Sequence, residues 1–197
     1  MTGPRATDSP LALPLTELLE RVAARTPAPG GGSSAGVTCA LAAALVEMAA
    51  GFETGARAGE RGAAAAQLRA RALELAEQDL TSYEPVLQAL RRPADDADRP
   101  ARLTAALSAA AATPFGIAQA AAQVASLARG GTDTAGRHLL GDSATAAVLA
   151  EAACRAAGLL VELNLRGTAD PRRDEAVQLV RAATVDSQHA VHRAREN

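Results

Sequence analysis

Apolar positions along the chain recur every three or four residues, and no run alternates with period two over a useful length. Helices are therefore expected throughout and strands are not. Leu15, Leu18, Leu19 and Val22 mark a first helix within 11–25, stopped by Pro27 and Pro29. Ser33 or Ser34 is placed to cap a second helix, in which Val37, Leu41, Leu45 and Met48 form one stripe and Ala fills most of the remainder. A helix apolar nearly all round is expected at the centre of a fold. A long third helix runs from Arg61 to about Arg91, with a charged early face (Arg69, Arg71, Glu74, Glu77). Its apolar set is Leu73, Leu80, Tyr83, Val86, Leu87 and Leu90, and Pro85 should kink it or end its regular part. "RRPADDADRP" reads as a surface loop, with Asp98 capping a fourth helix that carries Pro100 in its first turn. That helix reaches Ala128 with an interruption at Thr113-Pro114, and "RGGTDTAGRHLLGD" is a Gly-rich joint. A fifth helix spans Ser143 to about Leu165, and Asp170-Pro171 opens the last one. The pattern predicts an all-α bundle of about six helices in a single domain over residues 11–197, with 1–10 as a flexible tail.

Composition narrows the function classes. The chain has 197 residues and a net charge of −2, so it lacks the basic footprint that nucleic acid demands. All 20 basic residues are Arg, and no lysine amine exists for Schiff-base or phosphate chemistry. Phe52, Tyr83 and Phe115 are the only aromatic residues, so the core must be Leu, Val and Ala, with helices in close approach. Cys39 and Cys154 fall in apolar helical runs and are expected as small buried hydrophobes rather than a disulfide or metal pair. No signal-type segment opens the sequence and no apolar run nears the ~20 residues that span a bilayer, so a cytoplasmic protein without membrane contact is expected.

The segment "PAPGGGSSAGVT" (27–38) comes close to a phosphate-binding loop through Gly31, Gly36 and Thr38. Val37 stands where that loop needs lysine, and a helix rather than a strand precedes it, which argues against nucleotide binding. Two readings stay open. The glycines let another backbone lie against the helix start, or the free N–H groups there attract an anion or carboxylate.

Three segments resemble one family. "TPAPGGGSSAGVTCALAAALVEMAAGF" is similar to the opening of the formiminotetrahydrofolate cyclodeaminase and methenyltetrahydrofolate cyclohydrolase family, with its P-x-P-G-G-G-S segment leading into an Ala-rich helix. "EQDLTSYEPVLQAL" resembles its Asp-x-x-x-aromatic stretch through Asp79 and Tyr83. "GRHLLGDSATAAVLAEAACRAAGLLVELNL" resembles its Ser-Asp-x-x-x-Ala-Ala segment and following helix through Asp142, Ala146, Ala147, Asn164 and Leu165. The resemblance implies an all-helical homodimer that binds a folate in a cleft near the Gly-rich segment. The family's reactions act on a one-carbon unit between N5 and N10 of tetrahydrofolate, as substrate, with no tightly bound cofactor. The cyclodeaminase closes N10 onto a formimino carbon and expels ammonia; the cyclohydrolase adds water to the methenyl amidinium carbon. Cyclohydrolase is preferred narrowly, since no formiminotransferase domain is attached.

Both reactions pass through a tetrahedral carbon and need proton transfers. The resemblance then assigns Asp142 as the first catalytic candidate, with helix capping as its plain alternative. Asp79 follows, one helical turn from Tyr83 and on the same face. Gly30, Gly31, Gly32, Ser33, Ser34 and Tyr83 are expected to hold a pterin edge or a glutamate tail. Where many members carry a Lys-rich segment with a Tyr, this chain reads "ETGARAGERGAAA". Arg57 or Arg61 replaces that cation electrostatically but cannot shuttle a proton near neutral pH. His138 stands where the family often has Asn and is a candidate acid/base substitute. His189 and His192 read as surface residues with no metal-ligand pattern. Glu151, Arg155, Glu162 and Arg166 give Glu-to-Arg pairs on a solvent face, a dimer seam or a substrate-facing stripe. These departures leave two rivals: the fold recruited to another small-molecule reaction, for example in secondary metabolism, and a non-catalytic helical dimer that binds a ligand or protein partner.

Overall fold

The computed structural model describes residues 9–134 and 136–196. Eight α-helices are formed among them: α1 (Leu15–Ala23), α2 (Gly31–Gly51), α3 (Ala56–Ser82), α4 (Glu84–Leu90), α5 (Arg99–Ala110), α6 (Ala112–Thr134), α7 (Leu140–Asn164) and α8 (Arg172–Glu196). No strand is present among the described residues. The expected six helices become eight because two of them break. The long third helix divides at Tyr83, with Pro85 in the first turn of α4. The fourth divides at Ala111, three residues before Pro114, whose ring nitrogen has no hydrogen to offer the carbonyl of Ala110.

Helices α2, α6 and α8 run one way and α3 and α7 the other. Ser33 meets Asp79 across α2 and α3, while Gln119 meets Glu175 and Arg129 meets Asp186 across α6 and α8. The bundle therefore has two ends. One gathers the starts of α2, α6 and α8 with the finishes of α3 and α7; the other gathers the reverse.

Small residues make the close packing. The inner face of α2 is Ala35, Gly36, Cys39, Ala42, Ala43 and Val46. A Cβ on Gly36 would lie 2.8 Å from Ala76 Cβ and 3.1 Å from the Ala72 carbonyl, so α2 and α3 touch nearly backbone to backbone. The stripe expected on α2 splits: Val37 and Leu45 are half-buried, with Leu45 against the core, and the rest faces outward. Leu41 is 55% and Met48 37% exposed, and Phe52 extends the same surface. The alanine face is the one that packs, because close helix approach rewards the absence of side-chain bulk. On α1 only Leu18 is buried.

Several boundaries differ from expectation. Helix α3 starts at Ala56, five residues before Arg61. Helix α6 continues through Gly130-Gly131 to Thr134, converting half of the expected joint to helix. Asp98 occupies the position before α5 but does not cap it; its own N–H donates to Asp96 Oδ1 at 2.9 Å. Asp170 does cap α8, accepting from Arg172 N–H at 3.0 Å. Arg172 Nη2 reaches on to the Ser108 carbonyl at 3.1 Å, which ties α8 to α5. Of the expected tail, residues 1–8 lie outside the described residues, while Ser9 caps a 3-10 turn over Pro10–Ala12.

The expectation about apolar runs also needs correcting. Gly31–Gly51, Arg99–Thr134 and Arg137–Asn164 are long and apolar enough to cross a membrane by length and composition alone. Interspersed Gly, Ser and Thr shorten the runs in a count of consecutive residues but do not interrupt a helix. About half of each stretch is buried against neighbouring helices.

Candidate active site

Helix α2 begins at Gly31 with Gly30 as its extended cap residue, and no side chain within the segment caps it. Ser33 is inside the first turn rather than before it. The cap comes from α3 instead. Asp79 Oδ2 accepts the Ser33 N–H at 2.7 Å and the Ser33 hydroxyl at 2.9 Å, and Oδ1 accepts from Ser82 Oγ at 3.4 Å. The carboxylate lies directly on Gly32, where a Cβ would come within 2.1 Å of Oδ1. Both open readings of the Gly-rich segment are therefore met by one residue. The glycine admits a close neighbour, and that neighbour is the anion which a helix N-terminus attracts.

A cleft of about 170 Å³ opens beside this contact. Gly30, Gly31 and Gly32 form one wall. Asp79, Ser82, Tyr83 and Glu84 come from the α3–α4 break, Pro114 from the start of α6, and Leu160 and Asn164 from the last turn of α7. The two helix breaks position the site: Tyr83 interrupts one long helix and Ala111 the other, and both interruptions face the glycines. Of the expected site residues, Gly30, Gly31, Gly32, Asp79 and Tyr83 meet here. Ser33 and Ser34 do not. Ser33 is 1% exposed and bound to Asp79, and Ser34 Oγ donates to the Gly30 carbonyl at 2.8 Å. Both serines back onto an apolar groove between α1 and α2.

Arg57, His138 and Asp142 are at the opposite end. Asp142 and Asn164 are 22 residues apart on α7, about 33 Å along the axis. Asp142 lies in the first turn of α7, which starts at Leu140 rather than Ser143, so it is not the cap residue. It is half-buried, and neither it nor His138, exposed in a 3-10 turn, has a hydrogen bond or ion pair among the described residues. Arg57 is exposed, and Arg61 is committed to a largely buried ion pair with Glu53. Thr134 Oγ donates to the other Glu53 oxygen at 2.8 Å, and the buried Ser143 hydroxyl has no protein partner. Near neutral pH, Arg61 is thus a structural cation.

The remaining chemical groups are structural. Cys39 and Cys154 are fully buried and unpaired, and burial pushes both thiols up to about 12, which makes them unreactive. His189 bonds Asp133 at 2.9 Å and links α6 to α8, and Arg155 pairs with Glu151 at 3.6 Å. No group of three or more His, Cys, Asp or Glu among the described residues could hold a metal.

Asn164 was legible in the sequence only as part of the family resemblance, and Glu84 not at all. An asparagine at a helix's last position and a Glu-Pro pair at a helix start both read as terminus residues.

The family model for formiminotransferase-cyclodeaminase matches residues 14–182. Comparison with curated proteins gives no match. Among solved structures, the fold is similar to formiminotetrahydrofolate cyclodeaminase from Thermotoga maritima. That likeness has a TM-score of 0.77 at 24% identity, over 93% of this chain and 94% of the other. With a family match over most of its length and the same fold, the chain belongs to the formiminotransferase-cyclodeaminase family.

Proposed function

We propose that the chain acts on the one-carbon unit bridging N5 and N10 of tetrahydrofolate, as a methenyltetrahydrofolate cyclohydrolase or formiminotetrahydrofolate cyclodeaminase. The supporting observation is convergence. The Gly-rich segment, the Asp79–Tyr83 stretch and Asn164 belong to three distant segments, and all three line one cleft. In the hydrolytic reaction, water adds to the methenyl carbon and gives up a proton. The C–N5 bond of the tetrahedral carbon then breaks, leaving the formyl group on N10. Tetrahydrofolate enters as substrate rather than resident cofactor. Asp79 positions the first turn of α2 and faces the reacting head.

Asp142 and His138 cannot reach this cleft within one chain. In our reading a homodimer brings them there. The exposed apolar stripe of α2 (Leu41, Met48, Phe52) runs between the two ends, and Leu159 and Leu163 of α7 are also uncovered. A two-fold axis across the middle of α2 sets the Asp142 end of one protomer beside the Gly-rich end of its partner.

The test mixes purified protein with 5,10-methenyltetrahydrofolate and follows loss of its near-ultraviolet absorbance against buffer. Acceleration supports the reading; no acceleration together with no folate binding by calorimetry refutes it. Binding without turnover of either the methenyl or the formimino compound supports the non-catalytic rival. Recruitment to another small-molecule reaction is favoured by one observation: Arg57 and Arg61 replace the Lys-rich segment and neither can carry a proton.

A further inference from the structure

The acidic and basic side chains lining the Gly-rich cleft are of one kind. Asp79 and Glu84 are its ionisable acids, Tyr83, Ser82 and Asn164 are neutral, and no Arg or His is among its lining residues. The helix ends around it come in opposing pairs. The start of α2 faces the finish of α7, α3 stops where α4 starts, and α5 stops where α6 starts. Their partial charges largely offset one another, which leaves the carboxylates to set the potential. Asp79 is held by hydroxyl and amide donors, and no cationic side chain pairs with it among the described residues. The nearest basic partner of Glu84 is Arg91, at 3.8 Å with both side chains mostly in solvent, and such a pair neutralises little.

We infer that this cleft selects a planar, delocalised cation of the amidinium type, seated against Tyr83 and between the Asp79 and Glu84 carboxylates. The inference rests on the folate reading for its natural ligand, whose bridged methenyl form carries such a cation, but its chemistry stands on the cleft alone. Charge attraction across a partly enclosed site and the face of the Tyr83 ring act in the same direction. An anionic glutamate tail is repelled here and is directed out of the cleft. Glu84 becomes a specificity residue: it favours the charged ligand without contributing to bond making.

Three probes of one shape separate charge from fit: benzamidinium, benzamide and benzoate, titrated into the full-length protein by calorimetry. The expected result is benzamidinium binding at least about tenfold tighter than benzamide, with benzoate weakest. Glu84→Gln, a change at an exposed position, should lower benzamidinium affinity about threefold or more and leave benzamide unchanged. With methenyltetrahydrofolate as substrate, the same variant should raise KM and leave kcat unaltered. Equal affinity for benzamide, tighter binding of benzoate, or no binding of benzamidinium overturns the inference. The folate reading fails separately. Cation preference without turnover or folate binding removes that reading alone, and turnover without cation preference removes this inference alone.

Discussion

The two ends of the bundle are built from the same long helices, yet they handle their polar groups in opposite ways. At the Gly-rich end, three chain segments meet around a cleft, and its acidic Asp79 is fastened to the start of α2. At the other end, the largely buried ion pair of Glu53 and Arg61 is closed off, with Thr134 on the second Glu53 oxygen. Asp142 and His138 there are left without protein partners among the described residues. One end is assembled and open; the other presents unengaged groups at its rim. The difference teaches that a cleft can be organised at one end of a bundle while polar groups at the other stay unengaged, and the homodimer we propose would bring the two together.

Glycine substitutions should separate the ends most sharply. Gly32→Ala drives a Cβ into the Asp79 carboxylate. The lost cap and the overpacking together should cost about 2–4 kcal/mol in urea unfolding and abolish ligand binding. Gly141→Ala at the far end meets nothing within 4 Å. It should leave stability unchanged or raise it by about 0.4–1 kcal/mol. Comparable losses from both would erase the distinction.

Removing the two acids sharpens the comparison further. Asp79→Ala leaves a buried Ser33 hydroxyl and N–H without an acceptor and should cost about 1–3 kcal/mol. Asp142→Ala loses only a favourable charge near a helix start, about 0.3–1 kcal/mol by the same unfolding curve. Asp79→Asn keeps an acceptor and should retain most of the stability.

The smallest expected effect concerns acid. The Arg172 guanidinium and N–H beside Asp170 hold its carboxyl down to about 2. A depressed carboxylate stabilises the fold above its ordinary value near about 4 and loses that contribution as pH falls toward 2. Asp170→Asn should therefore lower stability slightly near neutrality, flatten the profile between those pH values, and leave stability at still lower pH unchanged.

How much of this was legible in sequence follows from what each feature depends on. The all-helical pattern, the Pro85 break and the Asp170 cap are local, set by proline's missing N–H and by a carboxylate two residues from its donor. Which face of α2 packs is not local. Leu41 and Met48 look like core by hydropathy, but Gly36 and the alanines let α3 and α7 approach so closely that the large side chains are left outside. The cleft was half legible. Gly30–Gly32, Asp79 and Tyr83, candidates by sequence, do meet, whereas Asp142 and His138 lie the length of α7 away and Arg57, in the first turn of α3, is at that same far end. Sequence order gives no view of which end of an antiparallel bundle a residue occupies until the helix directions are counted.

The claim that the two ends act together only in a pair can be put directly to a mixing experiment. Asn164→Ala weakens the cleft and Asp142→Asn removes the far carboxylate, so each homodimer should hydrolyse methenyltetrahydrofolate poorly. After the two are mixed equally and allowed to exchange protomers, half the dimers are hybrids with one intact composite site each. Activity should then recover to about a quarter of the unmodified protein's rate. Recovery to that level supports a site shared between protomers; a mixture no more active than the mean of its two parents contradicts it.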